Sequence, residues 1–257
     1  GHRVEGALDI ERLSTCVAEG VGRHEALRTG FAISGTAVEA RVHSARNFGF
    51  KHILVDEIGP GAFRDWAVPL VFDDVQPDVP ETLVRLLVAE ANGYWRFTVA
   101  MHHSISDGFS RGVANRELLK LYAGETLPDV GAYADFIGNA PEVAEPDIAA
   151  AIEAFPVPAP MPPDGSLSDD GDTRGLFIER EIHDLGPALR KLGKQHGASK
   201  FGVLGAVYAL GLQAFSGETR LSSFFQSEGR RIVGAPNSVI GPFSNTLPLD
   251  LSFDPTM

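Results

Sequence analysis

Five prolines fall within eight residues, Pro156-Val-Pro-Ala-Pro-Met-Pro-Pro163, and this run constrains the chain more than any other feature. Each proline fixes φ and lacks a backbone N–H, so the segment is neither helix nor central strand. The following Asp164-Gly-Ser-Leu-Ser-Asp-Asp-Gly-Asp172 is polar and turn-forming. Both lie in a longer stretch, Leu121–Thr173, that has no Lys or Arg, 11 acidic residues and eight of the 17 prolines. A solvated linker at 156–173 is the reading that follows. It divides the chain into an N-terminal lobe at 1–155 and a C-terminal lobe at 174–257.

That stretch carries nearly all of the net charge of −12, and the pI is about 5.1. An acidic chain lacks the basic face that phosphate neutralisation needs, which argues against a nucleic-acid partner. The same charge argues against a polybasic membrane surface. No apolar run reaches the ~18 residues of a membrane span, so no membrane association is expected. Cys16 is the one cysteine, which excludes an internal disulfide and any cysteine-built zinc or iron–sulfur centre. The chain opens without Met or a signal stretch, within what reads as a structured element, so it is expected to be part of a longer protein. Arg outnumbers Lys 17 to 5, a composition that points to a GC-rich bacterial source and a cytoplasmic location.

Elements alternate in type. Asp9 is placed to cap a helix whose Leu13, Cys16, Val17, Gly20 and Val21 share one face. Cys16 on that stripe reads as a buried, inert thiol. Ala37–Val42 and Lys51–Val55 are strand candidates, whereas Glu81–Glu90 fits either type. Tyr94–His103 is apolar on both faces and reads as a buried strand, with a helix at Phe109–Tyr122 behind it. In the second lobe the pattern gives a strand at Gly175–Ile182, helices at Gly186–His196 and Lys200–Phe215 (the latter capped by Ser199), and a buried strand at Arg220–Gln226. The fold class is therefore α/β (α+β) with mixed sheets.

The segment that carries chemistry is Met101-His-His-Ser-Ile-Ser-Asp-Gly108. Strand side chains alternate faces, so at a strand end one histidine faces a cleft while the other packs or orients it. Histidine titrates nearest neutrality and suits proton removal during attack. A helix starting just beyond directs N–H groups at the same region. Asp107 is placed to cap that helix or to pair with a buried cation, and Gly108 admits a backbone geometry or close approach that a Cβ obstructs. Two other readings compete. Two core histidines satisfied by hydrogen bonds are one. A metal site of His, His and Asp is the other, disfavoured because strand neighbours chelate poorly and no Glu-x-x-His or His-x-x-x-His partner is present.

The octapeptide resembles the His-His-x-x-x-Asp-Gly signature of the condensation-domain superfamily of non-ribosomal peptide synthetases, which includes chloramphenicol acetyltransferase. Four more segments are similar to that family's motifs, in its order: Arg23-His-Glu-Ala-Leu-Arg-Thr-Gly-Phe31, Tyr133-Ala-Asp-Phe136, Gly229-Arg230 and Ile240-Gly-Pro-Phe-Ser-Asn-Thr246. The bland reading of Arg23, His24 and Arg28 is capping and interface hydrogen bonding where a helix meets a strand. The family's opening Ser-x-x-Gln motif and its two last motifs have no counterpart between Gly1 and Met257. Ser244 stands where the family usually has Val, and Asp250 where the fifth motif often ends in Arg.

The resemblance implies two chloramphenicol-acetyltransferase-like lobes forming a V-shaped pseudo-dimer around a tunnel, here with the C-terminal lobe incomplete. It implies transfer of an acyl or aminoacyl group from a phosphopantetheine thioester to an acceptor amine, giving an amide. The candidate catalytic set is His103, His102, Asp107 and Gly108, with His103 as the base. Asp107 is expected to pair with Arg230 across the lobe interface, and Ser106, Ser110, Asn245 and Thr246 are candidates to line the tunnel. No metal and no permanently bound cofactor is expected. The partners implied are an acyl or peptidyl carrier protein (or CoA) as donor and a small-molecule amine or alcohol as acceptor. An ester-forming acyltransferase, an epimerising relative and a non-catalytic carrier-recruitment domain are the alternative functions.

Overall fold

The run Val84–Ala91 is apolar at most positions because both faces of the strand it forms are buried. In a computed structural model of the chain, residues 1–55, 67, 69–70, 74–91, 93–142, 145–155 and 181–252 are described. The linker at 156–173 and all but the last two residues of the strand expected at Gly175–Ile182 lie outside them. Two compact units are distinguished, one of residues 1–142 with 227–245 and one of 143–226 with 246–257.

The first unit opens with β1 (His2–Glu5) and α1 (Ile10–Arg23), then a 3-10 turn at Glu25–Arg28. The hairpin β2 (Thr29–Ser34) and β3 (Ala37–Val42) follows, then β4 (Gly49–Leu54), the short α2 (Pro80–Leu83), β5 (Val84–Ala91) and β6 (Tyr94–Met101). Helices α3 (Gly108–Ala123) and α4 (Tyr133–Ile137) complete it, together with the helical turn Arg230–Val233. The sheet order is β1-β6-β5-β4, with β4 parallel to β5 and the other pairs antiparallel. Alternation along β5 sorts its side chains. Val84, Leu86 and Val88 join Leu13, Val17 and Val21 of α1 and Val113, Leu118 and Leu121 of α3 in the main core. Leu87, Ala89 and Ala91 pack on the opposite face with Ala67. A strand covered on both sides reads as a continuous apolar run, which is why Glu81–Glu90 fits either type by pattern.

The expected helices stand where the capping signals put them. Asp9 accepts from the Arg12 N–H at 2.9 Å and starts α1, and Cys16 is buried on its inner stripe. Strand β6 is half-buried along most of its length, with Phe97 buried, and ends at Met101 instead of running through the histidines.

In the second unit are α5 (Glu145–Ala154), α6 (Leu185–His196) and α7 (Lys200–Ser216), the last capped by the Ser199 hydroxyl accepting from the Gly202 N–H at 3.0 Å. β7 (Ser222–Ser227) pairs with β8 (Asn245–Asp250). The buried strand expected at Arg220–Gln226 is corrected: β7 begins at Ser222 and Phe224 is 63% exposed, because a two-stranded ribbon leaves one face uncovered. Among the described residues no single helix is long and apolar enough to cross a membrane.

Candidate active site at the His102–Gly108 turn

The last ladder bond before the site runs from the His102 N–H to the Leu83 carbonyl, 2.8 Å. Beyond it the chain turns. The His102 carbonyl accepts from the Ile105 N–H at 3.1 Å and from the Ser106 hydroxyl at 3.0 Å. The His102 ring bends back on the same turn, where its Nδ1 accepts from the Ser104 N–H at 3.1 Å and lies 2.9 Å from the Ser104 hydroxyl. A backbone amide can only donate, so Nδ1 is the acceptor in this contact. His102 is half-buried. His103 is exposed, and among the described residues no side chain hydrogen-bonds its ring. The two histidines thus occupy different environments, although a turn separates them where strand alternation was the expected cause.

Asp107 caps α3. Its Oδ1 accepts from the Ser110 N–H at 2.7 Å, and its Oδ2 accepts from the Phe243 and Ser244 N–H groups, each at 3.1 Å, and from the Ser244 hydroxyl at 3.3 Å. Arg230 approaches Oδ1 at 3.4 Å through Nη2. The same Nη2 donates to the Ser110 hydroxyl at 2.9 Å, while Nη1 donates to the Val239 carbonyl. The Arg230 guanidinium lies over both the Phe109 and Phe243 rings, 4.6 and 4.4 Å from their centroids. Burial alone pushes the Asp107 carboxyl up, but the Ser110 hydrogen bonds and the Arg230 charge outweigh it and hold it below the usual carboxylate range. Both residues fall in the first unit, so the pair is internal to it, whereas the linker-based boundary assigns them to different lobes.

Two glycines let the 229–244 segment close on this pair. Gly229 sits at φ +67°, and a Cβ there overlaps the Phe243 carbonyl oxygen; a Cβ on Gly241 overlaps the Tyr133 ring. Tyr133 packs edge-on against Phe243, with centroids 4.9 Å apart, and donates to the Pro242 carbonyl at 3.4 Å. Gly108 is different. Its backbone has no positive φ and a Cβ there meets nothing within 4 Å, so neither fold nor packing demands glycine.

The tunnel candidates divide. Ser110 is fully buried, its hydroxyl donating to the Gly241 carbonyl at 2.9 Å and accepting from the Gly241 N–H at 3.1 Å. That corrects the expectation of a lining role, because a saturated buried hydroxyl offers a ligand nothing. Ser106 is likewise buried and committed to the His102 carbonyl. Asn245 and Thr246, at the start of β8, are exposed. One anchoring residue that sequence reasoning missed is Glu117 on α3. It accepts from His24 Nε2 at 2.8 Å and from Arg23 Nε at 3.2 Å, fastening the end of α1 to the site helix. Its carboxyl is pushed up by burial but held low on balance by His24 and Arg23. Only the long-range pairing identifies it, since nothing local marks a glutamate 93 residues from His24.

The Condensation domain family profile matches residues 2–256. Surfactin synthase subunit 1 of Bacillus subtilis (strain 168) is 30% identical over 260 residues, covering 95% of this chain and 7% of that protein. Among solved structures, the condensation domain of monacolin K polyketide synthase superposes with a TM-score of 0.76 at 23% identity, over 98% of this chain and 62% of that one. The epimerization domain from the third module of tyrocidine synthetase B superposes with a TM-score of 0.79 at 16% identity, over 97% and 62%. At these identities the structural likenesses establish the fold. This chain is thus a small fraction of the length of the synthase it matches.

Proposed function

The chain belongs to the condensation-domain family, and on that premise we propose that it transfers an acyl or aminoacyl group from the phosphopantetheine thioester of a carrier protein to an acceptor amine, forming an amide. The observation that carries this reading is the contrast between the two histidines. His102 is tied into its own turn through Nδ1, while the adjacent His103 ring is exposed and uncommitted. A fixed turn presenting a free imidazole is what proton transfer at a reacting centre requires.

A thioester is already activated, so the protein's task is to position two substrates and manage one proton. The amine lone pair attacks the thioester carbonyl and forms the C–N bond. His103 accepts the proton released by nitrogen. The tetrahedral centre then collapses, the C–S bond breaks, and the departing thiolate takes that proton from His103. A positioned base contributes on the order of 10²–10⁴-fold. The first turn of α3, where Gly108 leaves open space, is the proposed donor region for the developing oxyanion. Asp107 and Arg230 act by holding this turn and the 239–244 segment together, without touching the reacting atoms.

Single-turnover transfer from a loaded carrier protein to an amine panel, read by mass spectrometry, tests the assignment. His103→Ala is expected to keep the wild-type circular dichroism spectrum and lose the amide product. An active His103→Ala protein removes His103 from this role. A product formed only with hydroxyl acceptors replaces amide formation with ester formation.

A further inference from the structure

A cavity of about 330 Å³ lies beside the His102–Gly108 turn, with all its walls in the first unit. Ser104, whose amide and hydroxyl engage the His102 ring, and Ile105 form the wall toward the site. The opposite walls come from the 3-10 turn and the β2–β3 hairpin, with Phe31 and Val42, and from α4, with Tyr133 and Ala134. Contacts within the first unit hold these walls in place. Tyr133 is tied to Pro242 and packed on Phe243, and the hairpin strands pair in register from Thr29–Val42 to Ser34–Ala37.

We propose that this cavity receives the side chain of a substrate, and that it selects an apolar, non-acidic chain larger than a single phenyl ring. The proposal rests on the acyl-transfer reading of the His103 turn. Three observations carry it. The lining is mostly aliphatic and aromatic, as ligand sites are. Among the described residues Glu25 is the one charged lining residue, and an anion there opposes an acidic side chain. The size also fits: an apolar cavity of ~150 Å³ takes up benzene, and this one is about twice as large. Ser104 belongs both to the cavity wall and to the turn that carries the histidines. The cavity wall thus begins one residue after His103 in the chain.

The same chemistry arrives from either of two sources, the donor acyl chain or the acceptor's side chain. Two arms on the full-length protein separate them. The donor arm compares acetyl and octanoyl thioesters of N-acetylcysteamine. The acceptor arm compares ethylamine with tryptamine. Ala134→Phe narrows the cavity from an exposed helical position, and Val42→Trp does so from an exposed strand position that favours aromatic residues. In one arm, the ratio of large-chain to small-chain turnover is expected to fall at least about tenfold in both variants, the scale that pocket contacts impose on apolar selectivity. Equal losses for large and small chains, or no change in either arm, overturn the proposal. Calorimetric binding of the octanoyl thioester and of tryptamine keeps the two readings distinct. Binding that Ala134→Phe abolishes, without turnover in the wild type, supports the cavity and overturns the acyl-transfer reading. Turnover with no preference for the larger chain in binding or rate does the reverse.

Discussion

The Arg230 guanidinium and the Asp107 carboxylate lie 3.4 Å apart with their side chains 1% and 3% exposed, and the carboxylate is the partner that collects backbone N–H groups. Asp107 also accepts from the backbone of Ser110, Phe243 and Ser244, so its loss strands three N–H groups as well as a buried cation. Removing one partner of a buried pair costs about 3–5 kcal/mol. Asp107→Ala is therefore expected to lose stability on that scale in urea unfolding. Arg230→Met also removes one partner and takes the donors from the Val239 carbonyl and the Ser110 hydroxyl, but it leaves Asp107 with its Ser110, Phe243 and Ser244 donors, so it is expected to cost less than Asp107→Ala. The reverse ranking means that the charge pair, and not the carboxylate's backbone contacts, sets the energy.

Acid is expected to loosen the same region. The carboxyls of Asp107 and Glu117 are both lower in the folded chain than their ordinary values. The unfolded chain then binds protons first as pH falls, so the stability these groups add is complete above the unfolded values, about 3.9 for Asp and 4.3 for Glu. It is lost as pH drops through the lower folded values. The urea midpoint should show this loss below about pH 4, and Glu117→Gln should make that part of the fall shallower. An unchanged acid profile in Glu117→Gln would assign the loss elsewhere.

How much of this was legible in the sequence depends on how local each cause is. Asp9, Ser199 and the α3 start are written in capping residues next to the helices they begin, and the structure reproduces them. The octapeptide placed the histidines at the end of a strand, although β6 stops at Met101 and a turn carries them. Segments whose environment comes from distant chain were harder. Val84–Ala91 gains a second buried face from Ala67, Leu70 and Ile53, which no local pattern announces. Ser110 reads as a candidate tunnel-lining residue, but Gly241, 131 residues away, makes it a buried crosslink. Glu117 takes its role from Arg23 and His24, which share no sequence signal with it.

His102 is a positioning residue in this scheme, and its chemistry suggests a rescue. The Ser104 N–H donates to its Nδ1 at 3.1 Å. His102→Ala orphans that donor, an effect worth about 1–3 kcal/mol when buried, and frees the turn that carries His103. An asparagine carbonyl oxygen can stand close to the Nδ1 position and accept the same bond. His102→Asn is therefore expected to retain more transfer activity than His102→Ala, with both variants folded. His103→Asn should not restore activity to the same degree, because an amide cannot take a proton near neutrality. Equal activity in His102→Asn and His102→Ala would remove the Ser104 hydrogen bond from the account.

Gly108 separates a structural glycine from one reserved for a ligand. It occupies the first turn of α3, has no positive φ, and a Cβ there meets no protein atom within 4 Å. Alanine is a better helix former than glycine by up to about 1 kcal/mol in a helix interior, and Asp107 still caps the helix in such a variant. Gly108→Ala is thus expected to fold as well as the wild type or slightly better, with an equal or higher urea midpoint. Transfer is a different matter if substrate passes over this turn on its way to His103. A methyl group projecting into that space pushes the carbonyl away from the N–H groups of the helix start, and a misplacement on the order of 1 Å is enough to cost about 10²-fold in rate. Stable protein with strongly reduced turnover is the expected outcome, measured by unfolding and single-turnover transfer on the same preparation. Full activity would show that substrate does not approach the α3 N-terminus closely, and would move the oxyanion-stabilising group elsewhere.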